Sequence, residues 1–234
     1  MKLKDKVERI FFPQRCPVCH DIIPIEKDEC DCQGSENSVI SDDFCFSCAA
    51  DKTNCSCAVS HEGEPLTVAG VYYYSGKIRS QIALFKFAGK KHFANSFAMK
   101  MSERVARVYS DVKFDAVTFV PSSQKSLEQR GYNQSQLLAK IISEKLFLPL
   151  EETLVKVKET EYQHNLGAKE RLKNLENAFE LKDGKDVKGK TVLLCDDIKT
   201  TGTTLRRCSK VLYQNGAANV CCIVLAVTDF LTDF

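Results

Sequence analysis

VLLCDDIKTTGTTL, residues 192–205, carries three kinds of local chemistry in succession. Thr191 to Cys195 is an apolar run bounded by charge, the pattern of a central strand in a parallel sheet, covered on both faces. Asp196 and Asp197 follow directly. A turn of Thr and Gly then opens a helix over Thr204 to Asn215, which Gly216 ends. In open parallel sheets ligands bind beyond the carboxyl ends of the strands. There Thr200, Thr201, Gly202, Thr203 and Thr204 would present backbone N–H groups and hydroxyls at a helix N-terminus, which suits a phosphate. Gly202 permits the tight path and the close approach of an anion. The stretch is neither a Walker loop, lacking Gly-Lys-Ser/Thr, nor a GxGxxG turn. Carboxylates repel phosphate, but they accept hydrogen bonds from ribose hydroxyls and hold Mg²⁺. A ribose 5-phosphate bearing pyrophosphate asks for all three features at once. An ordinary capped helix with two solvated aspartates would explain neither the paired acids nor the run of small turn residues.

Working outward, strand and helix patterns alternate from Leu66 onward. Leu66 to Tyr74 reads as a strand, Lys77 to Ala88 and Phe93 to Val108 as helices, Asp115 to Val120 as a strand ended by Pro121. Asn133 to Leu146 reads as a helix, residues 158 to 166 as a loop, Lys169 to Phe179 as a helix, and Val220 to Val227 as a last buried strand. This is an α/β pattern with a mostly parallel sheet flanked by helices. No run approaches the length of a membrane helix, so no membrane insertion is expected. The first residues mix acids with bases and lack an apolar core, so no export leader is expected and the compartment reads as cytoplasmic.

Residues 1–64 differ in kind from residues 65–234, and the boundary is placed there. The first part carries 7 Lys+Arg and 13 Asp+Glu; the second carries 26 and 18. Of the 12 cysteines, eight fall in the first part as Cys16/Cys19, Cys30/Cys32, Cys45/Cys48 and Cys55/Cys57, a CxxC-then-CxC pattern given twice. CxxC lets two thiolates of one turn reach the same ion, so the eight fit one or two structural Zn²⁺. One ion per repeat is the simplest assignment, and an interleaved one stays open; an iron–sulfur cluster is the minor alternative. His20 and His61 are expected to be bystanders. A segment this small draws most of its folding energy from metal. Cys195, Cys208, Cys221 and Cys222 read instead as small buried hydrophobes. A basic stretch from Lys77 to Lys113, with nine bases against two acids, reads mainly as solvated helix faces and secondarily as an anion surface.

DDIKTTGTT resembles the phosphoribosyl-pyrophosphate (PRPP) signature of type I phosphoribosyltransferases. The rest of the chain is similar, in order, to the ComF family of competence-associated proteins. The Cys pairs match its zinc finger. Tyr73-Tyr74-Ser75-Gly76 and Phe85-Lys86-Phe87 match its first strand–helix unit. Arg130-Gly131-Tyr132-Asn133-Gln134, Gln163-His164-Asn165-Leu166, Arg171, Asn174 and Ala178-Phe179 match its middle. One departure is Val120-Pro121-Ser122-Ser123, where the family often has Pro-Val-Pro-Leu-His. The resemblance implies a phosphoribosyltransferase-like domain behind a zinc module, with Asp196 and Asp197 on the ribose hydroxyls, directly or through Mg²⁺. It implies the 5-phosphate on Thr200–Thr204 and a pyrophosphate loop over Pro121–Lys125, with Ser122, Ser123, Lys125 and Arg130 as ligands. A lid over residues 158–171 would swing Arg171 across the site. Two functions are implied: transfer of phosphoribose to an unknown acceptor with loss of pyrophosphate, or binding of PRPP or single-stranded DNA without turnover. Either would serve DNA uptake, with a competence helicase as a partner.

Overall fold

In a computed structural model of the chain, the described residues are 10, 13, 15–16, 21–27, 39–52, 55, 66–87, 93–157 and 178–228. Cys19, Cys30, Cys32, Cys57, His20, His61, Arg171, the loop at 158–166 and the expected lid lie outside them. The elements in chain order are β1 (Thr67–Tyr73), α1 (Gly76–Phe87), α2 (Phe93–Val108), β2 (Ala116–Phe119), α3 (Gln124–Arg130), α4 (Gln134–Leu146), β3 (Leu154–Lys156), β4 (Phe179–Leu181), β5 (Thr191–Lys199), α5 (Thr203–Gln214) and β6 (Asn219–Val227).

Four strands pair in the order β1-β6-β5-β2, all parallel, while β3 and β4 form a separate antiparallel pair. The two middle strands are the most apolar because both their faces are covered: Val192 to Cys195 and Val220 to Val227 are all buried. Helices α2 and α4 pack on one another and against the sheet, and α5 packs on β5, β6 and β4. The crossover β5–α5–β6 runs across the sheet in the opposite sense to β1–α1–α2–β2. Right-handed connections therefore put α5 on the opposite face from α2.

Residues 39–52 lie along β1. Val39 bridges Tyr72, the Ile40 amide donates to the Val71 carbonyl at 3.0 Å, and the Val68 amide donates to the Phe46 carbonyl at 2.7 Å. Gly70 makes this approach possible: a Cβ there would come within 2.8 Å of Ile40 Cδ1 and 2.6 Å of Val227 Cγ2. Arg104 on α2 reaches across to the same segment. Its guanidinium donates to Asp42 Oδ1 and the Ser41 carbonyl, each at 2.6 Å, and stacks over the Phe44 ring.

Within the described residues the expected elements appear, with three differences. Helix α3 was not expected; it buries none of its residues, so it has no apolar stripe to betray it. The pair β3–β4 was also missed, each strand being only three residues long. Of the helix placed over Lys169 to Phe179 only the last two residues are described, and they are not helical: Ala178 is coil and Phe179 opens β4, opposite Lys156.

Candidate functional site

Strand β5 carries Asp196 and Asp197 to its carboxyl end, each 8% exposed. The two acids are held differently. Asp196 Oδ1 accepts from Ser135 Oγ and from the Asp197 amide, both at 2.8 Å. Asp197 Oδ2 pairs with Lys86 Nζ at 3.0 Å. Burial, then the neighbouring Asp197 charge, pushes the Asp196 carboxyl up to about 7. Burial pulls the Lys86 ammonium down, but the charge and hydrogen bond of Asp197 and the charge of Asp196 together outweigh it and raise its pKa.

Beyond the acids the chain turns through Thr200 and Thr201, both exposed, into Gly202, which is buried with φ 76°. Gly202 is the N-cap of α5 and has no side chain with which to cap it; the Thr203 amide donates to Thr201 Oγ1 at 3.4 Å. Thr201 Oγ1 lies 2.8 Å from Thr203 Oγ1, and Thr203 and Thr204 occupy the first turn. A glycine-opened helix N-terminus lined by hydroxyls is a fitting cradle for a phosphate. β2 ends beside it: the Val120 amide donates to the Cys195 carbonyl. Pro121, Ser122 and Ser123 follow as half-buried coil. Ser123 caps α3, accepting from the Ser126 amide, so Gln124 and Lys125 lie in a helical turn rather than in an open loop.

Arg130-Gly131-Tyr132-Asn133-Gln134 joins three elements. Gly131 ends α3 with φ 74°. Tyr132 Oη donates to the Phe85 carbonyl and Gln134 Nε2 to the Lys86 carbonyl, clamping the last turn of α1. Asn133 caps α4 and its Nδ2 donates to the Val120 carbonyl at the end of β2. Arg130 Nη1 donates to Gln134 Oε1, and its guanidinium sits over the Phe87 ring, 4.9 Å from the centroid. Ser135 and Lys86 are thus site residues that sequence reasoning missed. The phenylalanines around Lys86 held the signal: Phe85 is fully buried and Phe87 exposed, which leaves the residue between them at the boundary where the site lies.

A second cluster lies in residues 45–55. Cys45, Cys48 and Cys55 bring their sulfurs within 4.8 Å of one another, and Cys48 Sγ is 3.7 Å from Cys55 Sγ. Sulfurs on a tetrahedral ion with bonds of ~2.3 Å stand about 3.8 Å apart, so the spacing fits Zn²⁺. The turn is formed by the Ala49 amide donating to the Cys45 carbonyl and the Cys45 amide donating to the Ala50 carbonyl, with Ala49 at φ 62°. Cys16 lies outside this three-sulfur group. Asp196 and Asp197 offer hard oxygen donors, which suit Mg²⁺ rather than zinc.

Of the nine bases between Lys77 and Lys113, Lys86, Lys100, Arg104 and Arg107 form ion pairs with acids, and Arg79 stacks on Tyr74. Tyr72 is buried and the Tyr73 hydroxyl donates to Asp51 Oδ2, so both rings belong to the packing of β1. No helix among the described residues is long and apolar enough to cross a membrane.

The phosphoribosyl transferase domain family matches residues 133–229. The structure of the allosteric regulatory enzyme of purine biosynthesis aligns over 56% of this chain and 25% of that one, at 27% identity and a TM-score of 0.37. DNA utilization protein YhgH of Escherichia coli (strain K12) is 32% identical over 63% of this chain and 66% of its own length. Competence protein ComFC of Bacillus subtilis (strain 168) is 32% identical over 63% of this chain, which spans 58% of that relative. Competence protein F of Haemophilus influenzae (strain ATCC 51907 / DSM 11121 / KW20 / Rd) is 30% identical over 90% of this chain and 95% of its own length. With nearly the whole of that relative covered, and a parallel sheet that ends in paired acids and a helix opened by Gly202, this chain belongs to the ComF family of phosphoribosyltransferase-like proteins.

Proposed function

We propose that the chain binds PRPP with Mg²⁺ at the carboxyl end of β5 and acts in the handling of DNA during natural transformation. One observation carries this reading: the same strand end presents a buried acid pair and, just beyond it, a helix N-terminus opened by Gly202 and lined by threonine hydroxyls. The acids would take the ribose 2- and 3-hydroxyls and the Thr200–Thr204 turn the 5-phosphate. Ser122 and Ser123 stand at the end of β2, on the side of the pyrophosphate, and Arg130 adds charge nearby. Held there, Mg²⁺ would neutralise the pyrophosphate oxygens.

Transfer chemistry follows from the same arrangement. A nitrogen of the acceptor forms a bond to C1 as the C1–O bond to pyrophosphate breaks, and the proton on that nitrogen passes to solvent. Positive charge builds on the ribose ring in the transition state, next to Asp196 and Asp197, which stabilise it without moving. The names of the relatives, competence and DNA utilization, support the biological setting. The thiolates of residues 45–55 are read as a structural zinc site, closed by a fourth thiolate.

Calorimetric titration with PRPP and Mg²⁺ tests the assignment. Asp197→Ala and Thr201→Ala are each expected to weaken binding; undiminished affinity in both would refute it. Pyrophosphate release across a panel of bases and amines tests turnover. A parallel titration with single-stranded DNA at two salt concentrations tests direct DNA binding, whose affinity must fall with salt if lysines and arginines carry it.

A further inference from the structure

Lys86 does not behave as a surface lysine. It sits in the last turn of α1, and two side chains from the Arg130–Gln134 segment, Tyr132 and Gln134, grip the carbonyls of Phe85 and Lys86. Phe85 below it is fully buried and packs against Phe97 and Tyr132. The backbone under Lys86 is therefore fixed, and its side chain, 18% exposed, ends 3.0 Å from Asp197 Oδ2. The acids are adjacent in a buried strand end, where two negative charges are costly without a cation. Asp196 is met by a hydroxyl and an amide, both neutral; Asp197 is met by the ammonium.

We propose that Lys86 is a resident counter-ion of the acid pair, which competes with a divalent cation for Asp197 and moves to the diphosphate of the incoming ligand when that ligand binds. The inference rests on the reading of Asp197 as the acid that holds the ribose hydroxyls. The chemistry of the ligand supplies the second half: its diphosphate is on C1, one carbon from the 2-hydroxyl. A lysine freed from Asp197 would need only a change of rotamer to reach those oxygens. Arg130, whose guanidinium stacks on Phe87 and repels Lys86, favours the departure of the ammonium toward an anion. Lys86 thus has opposite effects on two ligands. It disfavours a bare divalent cation, with which it shares a carboxylate, and it favours the anionic substrate.

The test compares the full chain with Lys86→Met, Lys86→Gln and Lys86→Arg at pH 8. Mn²⁺ alone, followed by its electron-paramagnetic signal, reads the first effect; calorimetry with PRPP and Mg²⁺ reads the second. Removing the ammonium is expected to tighten Mn²⁺ about tenfold and to weaken PRPP about tenfold, magnitudes in keeping with one charge at a partly buried site. Lys86→Arg is expected to stay near the parent in both. A purely structural role would weaken both ligands together. Mn²⁺ affinity that is unchanged or lower in both Lys86→Met and Lys86→Gln overturns the proposal, as does PRPP affinity that does not fall. If the parent chain binds no PRPP, the functional reading above fails by itself, and the Mn²⁺ comparison still decides whether Lys86 guards the acids.

Discussion

Cysteines of two regions show how the same side chain acquires opposite chemistry. Cys45, Cys48 and Cys55 are half-buried, and a turn folds their sulfurs toward one point. Cys195, Cys208, Cys221 and Cys222 are at most 2% exposed and lie on strands and a helix. Cys221 and Cys222 are adjacent on β6, where successive side chains point to opposite faces, so proximity in sequence separates them in space. Burial raises all four thiols, Cys221 to about 11 and Cys222 to about 12. A turn gathers cysteine sulfurs where an ion could sit; a buried strand or helix makes cysteines hydrophobes.

That contrast can be broken at several points. The largest expected effect is in thiol labelling at pH 8. After chelation, Cys45, Cys48 and Cys55 should alkylate about a thousandfold faster than Cys222, whose thiolate is scarce and enclosed; comparable rates would erase the distinction. Metal analysis checks it from the other side, since Cys48→Ala should lower zinc content and Cys222→Ala should not. Next comes independence of the two sites. Asp197→Ala should cost PRPP about a hundredfold in affinity, the scale of two lost hydrogen bonds to a charged group, while leaving zinc content alone.

Arg104 links the regions and gives a smaller effect. Arg104→Met should cost about 2 kcal/mol in denaturant unfolding, because two short hydrogen bonds and a ring contact are lost although Asp42 itself is largely in solvent. The gentlest test is pH. Asp196 binds its proton more tightly folded, at about 7, than unfolded, near the ordinary 3.8 of an aspartate carboxyl. The metal-free, unliganded protein should therefore lose stability as pH rises from about 4 to 7 and then level off. Asp196→Asn should flatten that slope and raise the melting temperature at pH 8 while abolishing PRPP binding.

Much of this was legible from residue pattern alone. Helix α2 spans Phe93–Val108 as its spacing of apolar residues indicates, and β5 and β6 announce themselves as unbroken apolar runs. These are cases where one element's own burial is written along it. The Asp pair and Thr turn were readable because their chemistry is contiguous. Lys86 was not, since its partner Asp197 lies far along the chain and only the sheet brings them together. Ser135 was hidden for the same reason: its hydroxyl looks like any first-turn serine until α4 is laid against β5. Arg130–Gln134 could be quoted as a motif, but its work as a clamp on α1, β2 and α4 exists only in three dimensions.

In the order β1-β6-β5-β2, β1 is an outermost strand, and the amides and carbonyls that Ile40 and Phe46 engage are those that would otherwise face another molecule. Residues 39–52 thereby guard this edge against intermolecular strand pairing. A chain shortened to begin at residue 65 would keep its acid pair and its Thr turn, yet leave the buried, apolar rim of β1 open. It should self-associate in proportion to concentration, and a chelator should push the full-length chain in the same direction.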